Sequence, residues 1–254
     1  MSKRMKILCI LFLIFFAAAF IFSTLLIREM DIDSEGREFY TNIGTQINRR
    51  PENVGTEAQQ TGDENTWTPY VDFIALSEKF PGITGWIKLK KSLIDYPVMQ
   101  YTDNDHFLTH LPDGTEHRNG SIFLDYRNKS DFSDKSILIY GHETRAGDMF
   151  GALKNYRVQA FYETNRIINL YTPENDYEIV LFAGHIAHSI TDHPPLHFDN
   201  DEEFLAYVQH LKSISVFEST VEVTKDDKIV SLVTCTYDFN DARLIIVGIL
   251  NKLE

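Results

Sequence analysis

The chain has 254 residues, 43% of them hydrophobic, with 18 Phe and 12 Tyr, which is enough apolar mass for a packed core and excludes a disordered chain. Its formal net charge is -13, with four of the 24 basic residues (Lys3, Arg4, Lys6 and Arg28) lying before the first acidic one, so the remainder sets 20 basic against 37 acidic groups. Such a surface repels phosphate backbones and excludes a nucleic acid as partner.

Residues 7–27, Ile7 to Ile27, form an uncharged stretch of Ile, Leu, Phe and Ala. As a helix it would measure about 31 Å, the thickness of a bilayer's hydrocarbon core. Lys3, Arg4 and Lys6 precede it, so residues 1–6 are expected in the cytoplasm and everything after Arg28 outside. A cleaved signal peptide is the competing reading. Its apolar region would end after about 7–15 residues at a small-residue site, whereas this one runs on through Leu25, Leu26 and Ile27. The lipid bilayer is thus the partner expected for residues 7–27.

Residues 28–69 are polar, with scattered Gly and Pro51, and read as an extracellular stalk, partly helical near the membrane, where Phe39, Ile43 and Ile47 could share one face. Order is expected from Tyr70. Val71, Ile74, Ala75 and Glu78 fit a short helix stopped by Pro81-Gly82. Eight strand-like runs follow, at Gly85–Leu89, Leu93–Gln100, Ser121–Leu124, Ser136–Tyr140, Arg166–Tyr171, Tyr177–Ala183, Lys228–Cys235 and Arg243–Leu250. Helical patterns interrupt them at Met149–Tyr156 and at Asp201–Leu211. The latter has an acidic first turn and sets Phe204, Leu205, Val208 and Leu211 on one side. A mainly β, closed or nearly closed eight-stranded barrel with peripheral helices is the expected architecture.

Chemistry concentrates on three residues. Cys9 lies in the apolar stretch and reads as a small hydrophobe, which leaves Cys235 as the one external cysteine. A single thiol in an oxidising compartment is buried, paired with another chain, or used. Ser231-Leu232-Val233-Thr234-Cys235 delivers it to the end of an apolar strand. Eight residues on, after Asp238, Asn240 and Asp241, Arg243 opens the next strand, so a hairpin would return it beside the thiol. There its planar fork could hold a developing oxyanion, or it could be a surface arginine paired with one of those aspartates. Ile137-Leu138-Ile139-Tyr140-Gly141-His142 delivers a histidine in the same way, with Gly141 giving the backbone freedom to turn. A nucleophilic Cys needs such an acid–base partner, though an ordinary strand-end histidine would look the same. His185, His188, His193 and His197 read as loop histidines whose spacing matches no metal-ligand motif.

With these residues in view, the sequence resembles the sortase family, and its class B branch in particular, over roughly Tyr70 to Leu250. The strand end Leu232-Val233-Thr234-Cys235 followed by Arg243, the Tyr140-Gly141-His142 context and the downstream Met149-Phe150-Gly151-Ala152-Leu153 carry the resemblance. So do Gly85-Trp86-Ile87, Ile94-Asp95-Tyr96-Pro97-Val98 and Ser121-Ile122-Phe123-Leu124-Asp125-Tyr126-Arg127. Val233 stands where many members have Ser or Thr. The resemblance implies a sortase β-barrel over residues 70–254, with Asp201–Leu211 as the helix that class B members insert between the sixth and seventh strands.

The resemblance also implies a cysteine transpeptidase of a Gram-positive-type cell surface, anchored in the membrane with its catalytic domain outside. Its partners would be secreted proteins with a C-terminal sorting signal and a peptidoglycan precursor amine, and no cofactor or metal is implied. Cys235 would be the nucleophile, His142 the general acid and base, and Arg243 the oxyanion or substrate stabiliser, with Thr234 and Tyr237 contacting substrate. A surface Cys–His protease, a pilin-polymerising sortase and a non-catalytic binding module with a buried Cys235 remain the alternatives.

Overall fold

The computed structural model describes residues 3–47, 71–89, 94–144, 147–236 and 238–253. The second half of the expected stalk (residues 48–69), Tyr70 where order was expected to begin, Leu93, Tyr237 and the side chain of Cys9 therefore lie outside the described residues. One continuous helix, α1, runs Lys3–Ile47. It continues through the first part of the expected stalk and is long and apolar enough to cross a membrane.

The unit from Gly44 onward opens with α2 (Phe73–Lys79), whose first turn is capped by the Asp72 carboxylate accepting from the Ala75 N–H at 3.0 Å. Eight strands follow: β1 (Ile83–Lys88), β2 (Asp95–Met99), β3 (Ile122–Leu124), β4 (Ser136–Tyr140), β5 (Ile167–Tyr171), β6 (Asp176–His188), β7 (Ile229–Cys235) and β8 (Ala242–Lys252). They close into a barrel in the order β1-β2-β3-β4-β7-β8-β6-β5. Closure leaves no unpaired sheet edge. Two neighbouring pairs, β2–β3 and β4–β7, are parallel. Each needs a long crossover, because a tight hairpin can only join antiparallel strands.

The strand runs expected from the sequence fall on these eight strands, with one correction. β6 does not stop at Ala183 but continues to His188. His185 and His188 are therefore strand residues, not loop residues. The reason lies in β8, whose Leu244, Ile245 and Ile246 pair with Ile186, His185 and Gly184. That ladder satisfies backbone groups along a stretch whose own residues carry little β signal.

Alternation along β7 and β8 sorts the core. Ile229, Val233, Ile245, Val247 and Ile249 lie on the outer face, in one buried cluster with Phe182, Ala183 and Ala187 of β6. Leu232 and Ile246, which pair directly, point the other way into the barrel with Ile139 of β4 and are fully buried. The outer cluster is roofed by α4 (Asp201–Ser213), which contributes Phe204, Val208 and Leu211 at helical spacing. Asn200 caps α4 by accepting from the Glu203 N–H at 2.9 Å, while the Glu203 carboxylate reaches back to the Asp199 N–H at 2.7 Å. The other expected helix, Met149–Tyr156, forms as a 3-10 helix at Gly151–Arg157, followed by α3 (Gln159–Thr164), which the sequence reading did not predict.

Candidate active site

Cys235 is the last residue of β7 and pairs directly with Arg243 on β8. Directly opposed residues of an antiparallel pair project from the same side of a sheet. Both therefore share the outer face with Val233 and Ile245. Cys235 is a free, half-buried cysteine. The Arg243 guanidinium donates to the Ala242 carbonyl at 3.0 Å. The competing pairing of Arg243 with a loop aspartate is not formed, since no carboxylate among the described residues pairs with it. Asp238 is held instead by Arg157, through bonds of 2.9 and 2.5 Å. Those contacts hold the Asp238 carboxyl down at about 2.

His142 reaches the same rim by a different route. In the parallel β4–β7 ladder Tyr140 stands opposite Val233, and the Gly141 N–H continues that ladder by donating to the Val233 carbonyl at 3.1 Å. Extending that register by two residues along each strand brings His142 level with Cys235. Gly141 is needed here for close approach and not, as expected, for turning. A Cβ at this position would collide with Ile122 and sit 2.8 Å from the Phe150 ring.

The His142 ring is aimed by the 3-10 segment His106–Leu108, whose Leu108 carbonyl lies 2.7 Å from Nε2. A carbonyl can only accept, so Nε2 carries the hydrogen and Nδ1 is left for proton exchange. Gly120 packs closely against that carbonyl. Its φ is +52, and a Cβ there would collide with the Phe107 carbonyl and lie 2.6 Å from that of Leu108.

Of the two residues expected to contact substrate, Tyr237 lies outside the described residues. Thr234 is buried, and alternation points it away from Cys235 into the barrel, where its hydroxyl has no hydrogen-bond partner among the described residues. Its side chain does not reach the face that carries the thiol.

The sequence reading missed a polar chain at the end of β4. The buried Asp125 carboxylate takes two bonds from the Arg127 guanidinium, at 2.8 and 2.7 Å. It also accepts from Asn104 and from the Tyr140 hydroxyl, each at 3.0 Å. Burial pushes this carboxyl up, but those donors outweigh burial and hold it at about 2. The Tyr140 hydroxyl also meets His193 Nε2 at 3.1 Å, which ties the segment between β6 and α4 to the end of β4. The spacing Asp125-x-Arg127 was the one local signal for this chain. For Arg157 and the Leu108 carbonyl there was none.

No protein-family model matches the chain. Among characterised proteins it is 34% identical to sortase B of Listeria monocytogenes over 168 residues, which cover 65% of this chain and 68% of that one. It is 31% identical to sortase B of Staphylococcus aureus, over 72% of this chain and 75% of that one. The solved substrate complex of the Staphylococcus enzyme superimposes with a TM-score of 0.68 at 30% identity, covering 72% of this chain and 85% of that one. The same enzyme has been solved with a glycine tripeptide, again at a TM-score of 0.68 and 30% identity, over 72% of this chain and 86% of that one. Sortase B of Bacillus anthracis superimposes with a TM-score of 0.75 at 27% identity, over 88% of this chain and all of that one.

Proposed function

The chain belongs to the class B sortases, a family of cysteine transpeptidases, and on that footing we propose that it anchors secreted proteins to the cell wall. It cleaves a sorting motif near their C-terminus and transfers the acyl part to an amino group of a peptidoglycan precursor. One observation supports the reading: β8 pairs Arg243 directly with Cys235, and β4, which runs parallel to β7, ends two residues before His142.

Cys235 passes its proton to His142 and attacks the carbonyl carbon of the motif's Thr. As the C–N bond breaks, His142 returns the proton to the departing amine, and a thioester remains. The incoming amine then attacks that carbonyl and gives its proton to His142. The proton passes on to the leaving thiolate, and a new amide is formed. Splitting one amide exchange into two acyl transfers lets the same site serve both steps. Arg243, which no carboxylate among the described residues pairs with, donates to the carbonyl oxygen as negative charge develops. The Staphylococcus relative's capture with a glycine tripeptide supports an amine as acceptor. Residues 7–27 hold the enzyme in the bilayer with Lys3, Arg4 and Lys6 on the cytoplasmic side. The barrel lies outside, where both substrates arrive.

Full-length protein in detergent micelles, incubated with candidate sorting peptides with and without triglycine, tests this by product mass. The expected result is an amide product that appears only with triglycine. Hydrolysed peptide alone in both reactions would make the protein a surface Cys–His protease, and an uncleaved pool would overturn the reading.

A further inference from the structure

Arg157 is the last residue of the 3-10 helix Gly151–Arg157. That helix is tied to the His142 side of the site, because Phe150, which precedes it, donates its N–H to the His142 carbonyl at 3.0 Å. The Arg157 side chain crosses to the other side. Its Nη1 donates to Asp238 Oδ1 at 2.9 Å, and its Nη2 to Asp238 Oδ2 at 2.5 Å and to Thr236 Oγ1 at 2.7 Å. The Thr236 hydroxyl in turn donates to Asp238 Oδ2 at 2.7 Å. Thr236 directly follows Cys235, and its N–H donates to the Ala242 carbonyl at 3.1 Å, closing the loop that leads into Arg243.

One guanidinium therefore joins the segment that carries His142 to the loop that connects Cys235 to Arg243. We infer that Arg157 is a positioning residue, which with Asp238 and Thr236 clamps the β7–β8 loop and sets the thiol and Arg243 relative to His142. The inference rests on the transpeptidase reading above. A planar fork suits the task, because two parallel bonds to one carboxylate fix orientation as well as distance. An ammonium supplies one charge and no such constraint. Asp238's carboxyl, held at about 2 by the Arg157 bond and then by Thr236, stays charged across the pH range in which a Cys–His pair works. The clamp therefore does not open on mild acidification. Placement matters at this scale because a shift of about 1 Å from a change away from the chemistry can cost about a hundredfold in rate.

The test uses full-length protein in detergent with a sorting peptide and triglycine. Four variants are compared: Arg157→Lys, Asp238→Asn, the double variant, and Lys225→Ala, which removes an exposed ion pair with Asp226. Each single clamp variant is expected to lose at least about tenfold in kcat with KM within about twofold. The double variant is expected to be no worse than either single one, since both remove the same constraint. The rate of Cys235 alkylation by iodoacetamide should change in the clamp variants, and Lys225→Ala should match wild type in every readout. Near-normal kcat in Asp238→Asn, or additive losses in the double variant, would overturn the clamp. If the clamp variants lose thermal stability, kcat is compared well below their Tm, where a merely structural role leaves kcat unchanged and also sinks the idea. Wild-type transfer that disappears in Cys235→Ala shows that the transpeptidase reading stands whichever way the clamp falls.

Discussion

The two sides of the candidate active-site rim are built by opposite strategies. Cys235 and Arg243 sit across one hairpin ladder, eight residues apart in the chain, and the antiparallel register alone places them together. His142 depends on a parallel ladder to a strand some ninety residues away and on a carbonyl borrowed from Leu108. The hairpin side is therefore locally determined, while the histidine side exists only once the barrel has closed. A parallel pairing must meet the loop-closure cost of its crossover before any contact rewards it. Substitutions on the hairpin side should act on chemistry alone, and those on the histidine side on chemistry and folding together.

The largest effect is expected from the thiol. Cys235→Ala should abolish peptide cleavage in a product-mass assay while leaving Tm close to wild type, because a half-buried strand-end methylene and sulfur contribute little to the core. His142→Ala should lower kcat by about 10²–10⁴-fold. Any residual activity should lose its dependence on the imidazole, which a pH–rate profile reads directly.

Arg243→Lys comes next. Removing a donor from an oxyanion site costs about 10²–10³-fold in well-studied cases. Lysine keeps the charge and loses the fork, so a fall in kcat of at least about tenfold is expected, with little change in stability. Near-wild-type turnover in Arg243→Lys would remove Arg243 from the site.

Gly120 sharpens the contrast. Gly120→Ala forces a Cβ into the carbonyls of Phe107 and Leu108 at a positive φ. It should cost about 1–3 kcal/mol of stability and also lower kcat, since the Leu108 carbonyl aims His142. Gly114→Ala is the control: its φ is +83 but nothing lies within 4 Å of the added Cβ. It should show the backbone cost without the kinetic one. Equal kcat losses in the two variants would contradict the role given to Leu108.

The last effect falls on stability and not on turnover, and concerns His185, on the outer face of β6 beneath α4. Burial, reinforced by repulsion from His210 and only partly offset by Asp192, pushes its imidazole down to about 4. The folded protein keeps it neutral while the unfolded chain takes up a proton below about 6.5. Its contribution is therefore fully present above pH 6.5 and is lost as pH falls toward 4, by at most about 3 kcal/mol. Urea midpoints measured from pH 7.5 to 4.5 should decline less steeply for His185→Gln than for wild type. Parallel slopes would mean that another group carries the acid sensitivity.

The same contrast explains what could be read from the sequence. The Cys235–Arg243 hairpin was legible because turn residues sit between two apolar runs, and the eight strands were legible from β-branched and aromatic runs bounded by Gly, Pro and Asp. The extension of β6 through His185 and His188 was not, because the partner strand β8 imposes it. Gly141 was singled out for the wrong reason. Its contact with Ile122 and Phe150 belongs to packing between segments, which no local pattern reports. Thr234 showed the limit of reading a motif as a string: strand alternation turns it away from the face that its neighbour Cys235 occupies. Arg157 and the Leu108 carbonyl lie 78 and 127 residues before Cys235 in the numbering, and only barrel closure brings them to the site.

The most direct measurement of whether these residues form one site is trapping of the acyl-enzyme. Full-length wild-type protein is incubated with a sorting peptide without amine, quenched in acid, and analysed by intact mass followed by peptide mapping. The account predicts an added mass equal to the acyl fragment, localised to Cys235, discharged by triglycine, and absent in Cys235→Ala. Cleaved peptide accumulating at wild-type rate in Cys235→Ala, with no adduct at any time point in wild type, would contradict it.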